Sequence, residues 1–77
     1  MTYRMILADN LLMFRKHENI SQQEISFRTE VNKDTISMLE RGKSNVRLDT
    51  LEKLASYIGL TLPELFTEGF VRKKYIM

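Results

Sequence analysis

The sequence contains no cysteine, one proline and three glycines among its 77 residues. The absence of cysteine excludes disulfide bonds, zinc sites with thiolate ligands and a cysteine nucleophile. Because small secreted domains usually depend on disulfides, this composition favours a reducing compartment, and we expect a cytoplasmic protein. The scarcity of proline and glycine is typical of short helices joined by tight connections, and no strand pattern precedes residue 69.

Long hydrophobic runs and a strong charge imbalance are also missing. The longest apolar runs, 5–8 and 11–14, have four residues each, whereas a membrane-spanning helix needs about 20. We therefore expect no membrane segment and no signal peptide. Twelve basic and ten acidic residues give a net charge of +2, which does not by itself indicate a nucleic-acid partner. Within residues 31–47, however, four basic residues accompany only two acidic ones.

Apolar spacing and capping residues predict an all-α chain with five helices. Ser21 with Glu24, and Thr61 with Glu64, form two capping boxes, and Asn32 is a third strong N-cap. The predicted helices are Arg4 to Glu18, Ser21 to Thr29, Lys33 to Arg41, Leu48 to Ile58, and a fifth that opens at Thr61. The helices after the first supply a core of regularly spaced apolar residues, and we place Leu48 in it with Leu51, Leu54, Ala55 and Ile58.

The second and third predicted helices form the informative segment, residues 21–42. Two short helices joined by a turn of about three residues cross steeply, as in a helix-turn-helix. In that arrangement the apolar residues Ile25, Val31, Ile36 and Leu39 face inward. The residues expected to project outward, along a ridge that fits the DNA major groove, are Lys33, Asp34, Ser37 and Met38.

At this point the chain resembles a known family, the Cro and phage-repressor (XRE-like) helix-turn-helix regulators. The resemblance is carried by the order and spacing of four stretches: Phe14-Arg15, residues 20–25 (ISQQEI), residues 35–42 (TISMLERG), and residues 49–66. It covers about residues 4–67 and implies a compact, five-helix, lambda-repressor-like DNA-binding domain. We therefore divide the chain into a helix-turn-helix domain, 1–67, and a C-terminal tail, 68–77.

The resemblance also implies roles for individual residues. Lys33, Asp34, Ser37 and Met38 match positions that face bases. Lys33 suits guanine, Asp34 suits cytosine, and Met38 suits the thymine methyl group. The positions that match phosphate contacts are Gln22, Thr35, Lys43, Asn45 and Arg47. Arg15 and Glu40 match an ion pair that ties the first helix to the third, which is a structural role.

Some residues depart from the family pattern. Glu30 stands where similar proteins place glycine in the turn, and because a non-glycine residue with positive φ is strained, we expect a turn of different shape. Val46 replaces a usual proline and leaves Arg47 at a cap position that it fills poorly. The tail, with Arg72 to Lys74 between apolar residues, lies outside the resemblance. Three roles for the tail remain open. It could form a strand or helix at a dimer interface, it could fold back on the first helix, and residues 72–74 could contact phosphates.

The sequence thus predicts a sequence-specific regulator that binds double-stranded DNA, most simply as a homodimer on a palindromic operator. A protein-binding adaptor or antitoxin module on the same scaffold is the alternative, supported by the excess of apolar residues on the first helix and in the tail. An enzyme is not expected. His17, the only histidine, has no plausible nucleophile nearby, and no cofactor, metal or small-molecule motif is present.

Overall fold

The computed structural model describes residues 1–43 and 45–76, apart from the side chain of Ile76. Ser44 and Met77, and with Met77 the end of the predicted tail, lie outside the described residues. The helices are α1 (Tyr3–Glu18), α2 (Gln22–Thr29), α3 (Lys33–Glu40), α4 (Leu48–Ile58) and α5 (Leu62–Leu65). They are followed by a helical turn, Arg72–Ile76, which we call the C-terminal turn. The predicted all-α class with five helices is confirmed.

The predicted capping residues start the helices. The side chains of Ser21, Asn32 and Thr61 each accept a hydrogen bond from a first-turn amide of α2, α3 and α5. Only the box at Thr61 is reciprocal, because the Glu64 carboxylate accepts from the Thr61 amide. In α2 the Glu24 carboxylate instead lies 3.4 Å from the Arg28 guanidinium. Arg47 makes no capping bond at the start of α4, as predicted.

The core lies where α1, α2 and α3 meet α4 and α5. Its fully buried members include Leu11 of α1, Ile25 of α2, Ile36 of α3, Leu54 of α4 and Leu65 of α5. Each helix therefore contributes one apolar face to a single cluster, as amphipathic helices do. Among the described residues, no helix is long and apolar enough to cross a membrane.

The prediction that Leu48 joins this core is wrong. Leu48 is the first residue of α4 and is 62% exposed, whereas Leu51, one turn later, is buried. The reason is its position: the first turn of α4 extends beyond the end of the core, so matching helical spacing is not enough to bury the side chain.

The expectation of a reshaped turn at Glu30 is also wrong. Glu30 adopts φ 61° and ψ 23°, the left-handed conformation that glycine usually supplies at such a position. Neighbouring contacts enforce it: the Ser26 hydroxyl donates to the Val31 carbonyl, the Thr29 hydroxyl accepts from the Val31 amide, and the Val31 side chain is buried. The turn therefore has the usual left-handed conformation, although the residue at that position is a glutamate and not a glycine.

The tail folds back on α1, one of the alternatives left open by the sequence. Val71 is fully buried, and its amide donates to the side chain of the buried Asn10. Arg72 forms two hydrogen bonds with Asp9, and these hold the pKa of Asp9 below its usual range. The ring of Tyr75 stacks on His17 with centroids 4.7 Å apart. Residues 70–75 thus complete the core on one side of α1.

Candidate nucleic-acid interface

Helix α3 is anchored along one side and exposed along the other. Ile36 and Leu39 are buried, and the Asn32 side chain fixes the start of the helix by accepting from the Asp34 amide at 2.7 Å. Three of the four predicted base-contacting residues, Lys33, Asp34 and Met38, are exposed. Met38 is a large apolar side chain that is nevertheless 41% exposed. Helical periodicity therefore puts these residues on one outward ridge.

The remaining two α3 candidates are less accessible. Ser37, a predicted base contact, and Thr35, a predicted phosphate contact, are both half-buried. Their side chains are short, so each reaches less far from the helix than Lys33 or Met38. The structure thus brings all of the α3 candidates onto one helix but ranks Ser37 and Thr35 behind the others in accessibility.

An ion pair locks α3 to α1. The Arg15 guanidinium donates to both carboxylate oxygens of Glu40, at 2.8 and 2.9 Å, and also to the Ile20 carbonyl at 3.1 Å. The Glu40 side chain is only 4% exposed, and its carboxylate raises the pKa of Arg15. Such a bidentate interaction fixes both the distance and the relative rotation of α1 and α3. The structure therefore contains the ion pair that the resemblance implied.

Gln22, predicted to contact a phosphate, belongs to the same network. Its side-chain nitrogen donates to Glu40 Oε1 at 2.9 Å. The bond places the start of α2 against the end of α3 and directs the amide nitrogen towards the protein. A phosphate at the start of α2 would then meet chiefly the positive end of the helix dipole, with Gln22 as a positioning side chain.

The connection between α3 and α4 supplies the other predicted phosphate contacts. Lys43, Asn45 and Arg47 are all exposed. The Lys43 amide donates to the Met38 carbonyl at 3.1 Å, so the connection leaves directly from the exposed end of α3. The exposed ridge of α3 and the predicted phosphate contacts Lys43, Asn45 and Arg47 therefore follow one another along one candidate surface.

Arg4 belongs to this surface and was missed by the sequence reasoning. Its guanidinium donates to Asn45 Oδ1, and the side chain is exposed. A methyl group placed on Gly42 would lie 3.8 Å from the Met5 side chain and 3.9 Å from the Arg4 carbonyl, so the first turn of α1 supports the start of the connection. No sequence signal links residues 41 positions apart, and only the packing of α1 on α3 brings Arg4 there.

Comparison with known proteins agrees with this geometry. Residues 11–65 match the family model described as helix-turn-helix. The chain therefore belongs to the helix-turn-helix family of DNA-binding transcriptional regulators, and it is a regulator of this class rather than an enzyme.

The chain is also similar to individual curated proteins. It is 31% identical to an uncharacterised HTH-type transcriptional regulator, y4dJ, of Sinorhizobium fredii, over 87% of both chains. It is 34% identical to the control protein C.MunI of a Mycoplasma species, over 79% of this chain and 84% of that one. It is 33% identical to the control protein C.SmaI of Serratia marcescens, over 87% of this chain and 80% of the other. No solved structure matches the chain.

Proposed function

We propose that the protein is a homodimeric regulator that places α3 in the major groove of a palindromic operator. The observation that carries the proposal is the two-sided character of α3. Ile36, Leu39 and Glu40 fix the helix in the fold, while Lys33, Asp34 and Met38 remain exposed on its other side. A rigidly held helix with an exposed, chemically varied ridge is what reading of base edges requires.

Each exposed side chain suits a different base. Lys33 offers donors for guanine O6 and N7, Asp34 accepts from cytosine N4, and Met38 packs on a thymine methyl group. Ser37 adds at most a short-range contact. Thr35, Lys43, Asn45 and Arg47 contact the DNA backbone on either side, and the start of α2, positioned by Gln22, offers the positive end of its helix dipole to a phosphate. This division assigns base readout to the ridge and positioning to the flanking residues.

Dimer formation follows from the size of the site. An eight-residue helix contacts only a few base pairs, and half-sites of dimeric helix-turn-helix proteins lie about 34 Å apart. The molecule measures 29 × 25 × 20 Å, so two copies on adjacent turns of the duplex would lie side by side. The names of the relatives include control proteins and the transcriptional repressor RstR of Vibrio cholerae, which supports an operator-binding role.

Selection from random duplex DNA tests the proposal. The purified protein should enrich a palindrome whose two halves are centred about one helical turn apart. Enrichment of no sequence at all would contradict the proposal. Retention of a protein partner with no dependence on salt would instead favour the adaptor alternative, since apolar association responds little to salt.

Two substitutions separate base reading from backbone contact. Lys33→Ala should relax the preference at one base pair of each half-site, whereas Lys43→Ala should weaken binding to all sequences about equally. Lys53→Ala is the matched control, because Lys53 is an exposed lysine on α4, in the groove beside the C-terminal end of α2. Equal, sequence-independent losses from the first two variants would show that Lys33 contacts only phosphate.

The structure weakens one support of the adaptor alternative. Part of that support was the apolar composition of the tail, but Val71 is fully buried and Phe70 and Tyr75 pack against the core. The apolar side chains of Phe70, Val71 and Tyr75 are therefore explained by folding alone. Among the described residues, large apolar side chains that remain exposed lie elsewhere: at or just before the start of α1 (Met1, Tyr3, Met5), on α2 (Phe27), on α3 (Met38) and at the start of α4 (Leu48).

A further inference from the structure

Sulfur chemistry in this chain is confined to methionine. The sequence contains five methionines and no cysteine, so no thiol competes for an oxidant. Among the residues that the structure describes, Met1, Met5 and Met38 are exposed, whereas Met13 is partly buried against the core. Because an oxidant has to reach the sulfur atom, exposure governs how readily a methionine is oxidised. The exposed methionines are therefore the places where an oxidant changes this protein first.

Of these three exposed methionines, Met38 lies on the outward ridge of α3. Its side chain is 41% exposed, and the proposed function packs it on a thymine methyl group. Met1 and Met5 lie elsewhere, in a groove between α1 and the end of α3 that Leu12 and Gly42 also line. A chemical change at Met38 therefore acts on the surface that reads bases, and the same change at Met1 or Met5 does not.

The backbone at Met38 is held independently of its side chain. The Met38 carbonyl accepts hydrogen bonds from the amides of Arg41 and Lys43, at 3.2 and 3.1 Å. The next two residues, Leu39 and Glu40, are fixed by burial in the core and by the ion pair with α1. A change confined to the Met38 side chain thus alters what α3 presents to DNA and leaves the helix in place.

We propose that Met38 is an oxidation site at which a peroxide reversibly lowers the affinity of the protein for its operator. The inference rests on the proposed function and adds a means of regulating it. With hydrogen peroxide, the thioether sulfur attacks one oxygen, so that an S–O bond forms while the O–O bond breaks. The sulfur loses two electrons and becomes a sulfoxide, and the second oxygen is reduced and leaves as water with both protons.

The sulfoxide does not suit the contact that the thioether makes. Oxidation turns a flexible apolar side chain into a polar one. A thymine methyl group offers no hydrogen-bond donor, so burying the sulfoxide oxygen against it costs free energy. The side chain stays uncharged, and the phosphate contacts of Lys43 and Arg47 keep their electrostatic contribution. Oxidation should therefore weaken specific binding and leave non-specific, salt-dependent binding as it was.

The test compares the wild-type protein, Met38→Leu and Met5→Leu before and after treatment with hydrogen peroxide. Leucine is an apolar residue without sulfur, and Met5 is a matched control because it is 49% exposed and lies outside the ridge. Peptide mass spectrometry gives the fraction of sulfoxide at each methionine. Fluorescence anisotropy measures binding to a selected operator and to an unrelated duplex. Each protein is compared with its own untreated sample, and circular dichroism checks the fold.

Once Met38 is fully oxidised, the wild-type protein and Met5→Leu should bind the operator about tenfold more weakly, a loss typical of one mismatched base pair. Binding to the unrelated duplex should not change, and peroxide should not alter the affinity of Met38→Leu. Treatment with the two methionine sulfoxide reductases, one for each epimer, should restore the wild-type protein. Operator present during oxidation should slow the reaction at Met38 but not at Met5.

Unchanged operator affinity with Met38 fully oxidised would overturn the inference. An equal loss of affinity in Met38→Leu would also overturn it, because the effect would then come from another methionine. If Met38→Leu binds no operator even before treatment, the reductase and the operator-protection measurements on the wild-type protein decide the question. Failure of the untreated wild-type protein to bind any duplex would instead contradict the proposed function itself.

Discussion

Glu30 is a residue whose backbone conformation is imposed by its neighbours. Its φ of 61° places a glutamate in the left-handed region, which costs an L-residue with a β-carbon about 1 kcal/mol or more. The turn is held in this form by the hydrogen bond from the Ser26 hydroxyl to the Val31 carbonyl, the bond from the Val31 amide to the Thr29 hydroxyl, and the burial of Val31. The turn between α2 and α3 therefore stores strain that a single substitution removes.

We expect Glu30→Gly to stabilise the protein by about 0.5 kcal/mol, because relief of the left-handed strain exceeds the added entropy of the unfolded chain. In a domain of this size that raises Tm by about 2–4 °C, measured by thermal unfolding. Asn19→Gly is the control. Asn19 has a similar φ of 56°, but asparagine tolerates this region better, so the gain should be smaller. A loss of stability in Glu30→Gly would show that the side chain makes a stabilising contact that outweighs the strain.

Arg4 is a second single residue whose substitution has a predictable effect, in this case on DNA binding. The hydrogen bond from Arg4 to Asn45 orders the connection before α4 and adds a positive charge beside it. Arg4→Ala should therefore weaken binding to all DNA sequences several-fold, and the salt slope of log Kd should fall by about 1 per half-site if the guanidinium also contacts phosphate. Fluorescence anisotropy over a series of salt concentrations measures both effects.

Arg4→Lys separates the two contributions of Arg4. It keeps the charge but not the planar donor group, so it should restore the salt slope more than the affinity. Lys53→Ala serves again as the basic residue outside the interface. Unchanged affinity in Arg4→Ala would mean that Asn45 needs no support from α1.

At the scale of the elements, Asn10 joins three parts of the chain. Its side-chain nitrogen donates to the carbonyls of Leu65 and Thr67, at 2.8 and 3.0 Å, and its oxygen accepts from the Val71 amide at 3.2 Å. The side chain is fully buried. One polar residue of α1 thus holds the end of α5 and the residue before the C-terminal turn, and it satisfies the hydrogen-bonding groups of three backbone partners.

Asn10→Ala should reduce the free energy of unfolding by about 3 kcal/mol, because it leaves buried backbone groups without partners and creates a small cavity. Urea unfolding followed by circular dichroism measures the change. Asn45→Ala, an exposed asparagine, should alter stability by less than about 0.5 kcal/mol. If the two variants were equally stable, water would have to replace the Asn10 bonds, and the tail would not depend on this residue.

The starts and ends of the helices were predicted closely from the sequence. Capping is local, so Ser21, Asn32 and Thr61 specified the starts of three helices without reference to the rest of the chain. Helix α4 has the predicted bounds, and α3 ends at Glu40, one residue before its predicted end. The tail was undecided, because its folding on α1 depends on Asn10, 61 positions before Val71.

At the scale of the whole molecule, the net charge of +2 is small. The electrostatic part of the DNA affinity must therefore come from basic side chains located at the DNA-facing surface. In the proposed complex, Lys43 and Arg47 of each copy neutralise phosphates, four contacts in the dimer. Each contact contributes a slope of about −0.9 to log K against log salt, so we expect a slope of about −4. Binding should then weaken roughly 200-fold between 50 and 200 mM salt.

Titration of an operator duplex at several salt concentrations measures this slope. The double variant Lys43→Ala/Arg47→Ala should bring it much closer to zero, down to any contribution from Arg4, whereas Lys53→Ala should leave it unchanged. A wild-type slope near zero would contradict phosphate contact by these residues and favour apolar association.

The sequence by itself determined the class of fold and the face that α3 exposes, because helical periodicity and capping depend on residues within a few positions of one another. It also placed Arg15 and Glu40 together, through the resemblance. Tertiary structure decided what depends on distant packing: the exposure of Leu48 at the end of α4, the left-handed Glu30, the attachment of the tail to Asn10, and the approach of Arg4 to Asn45. Those contacts join residues far apart in the chain, and only the complete core brings them within reach.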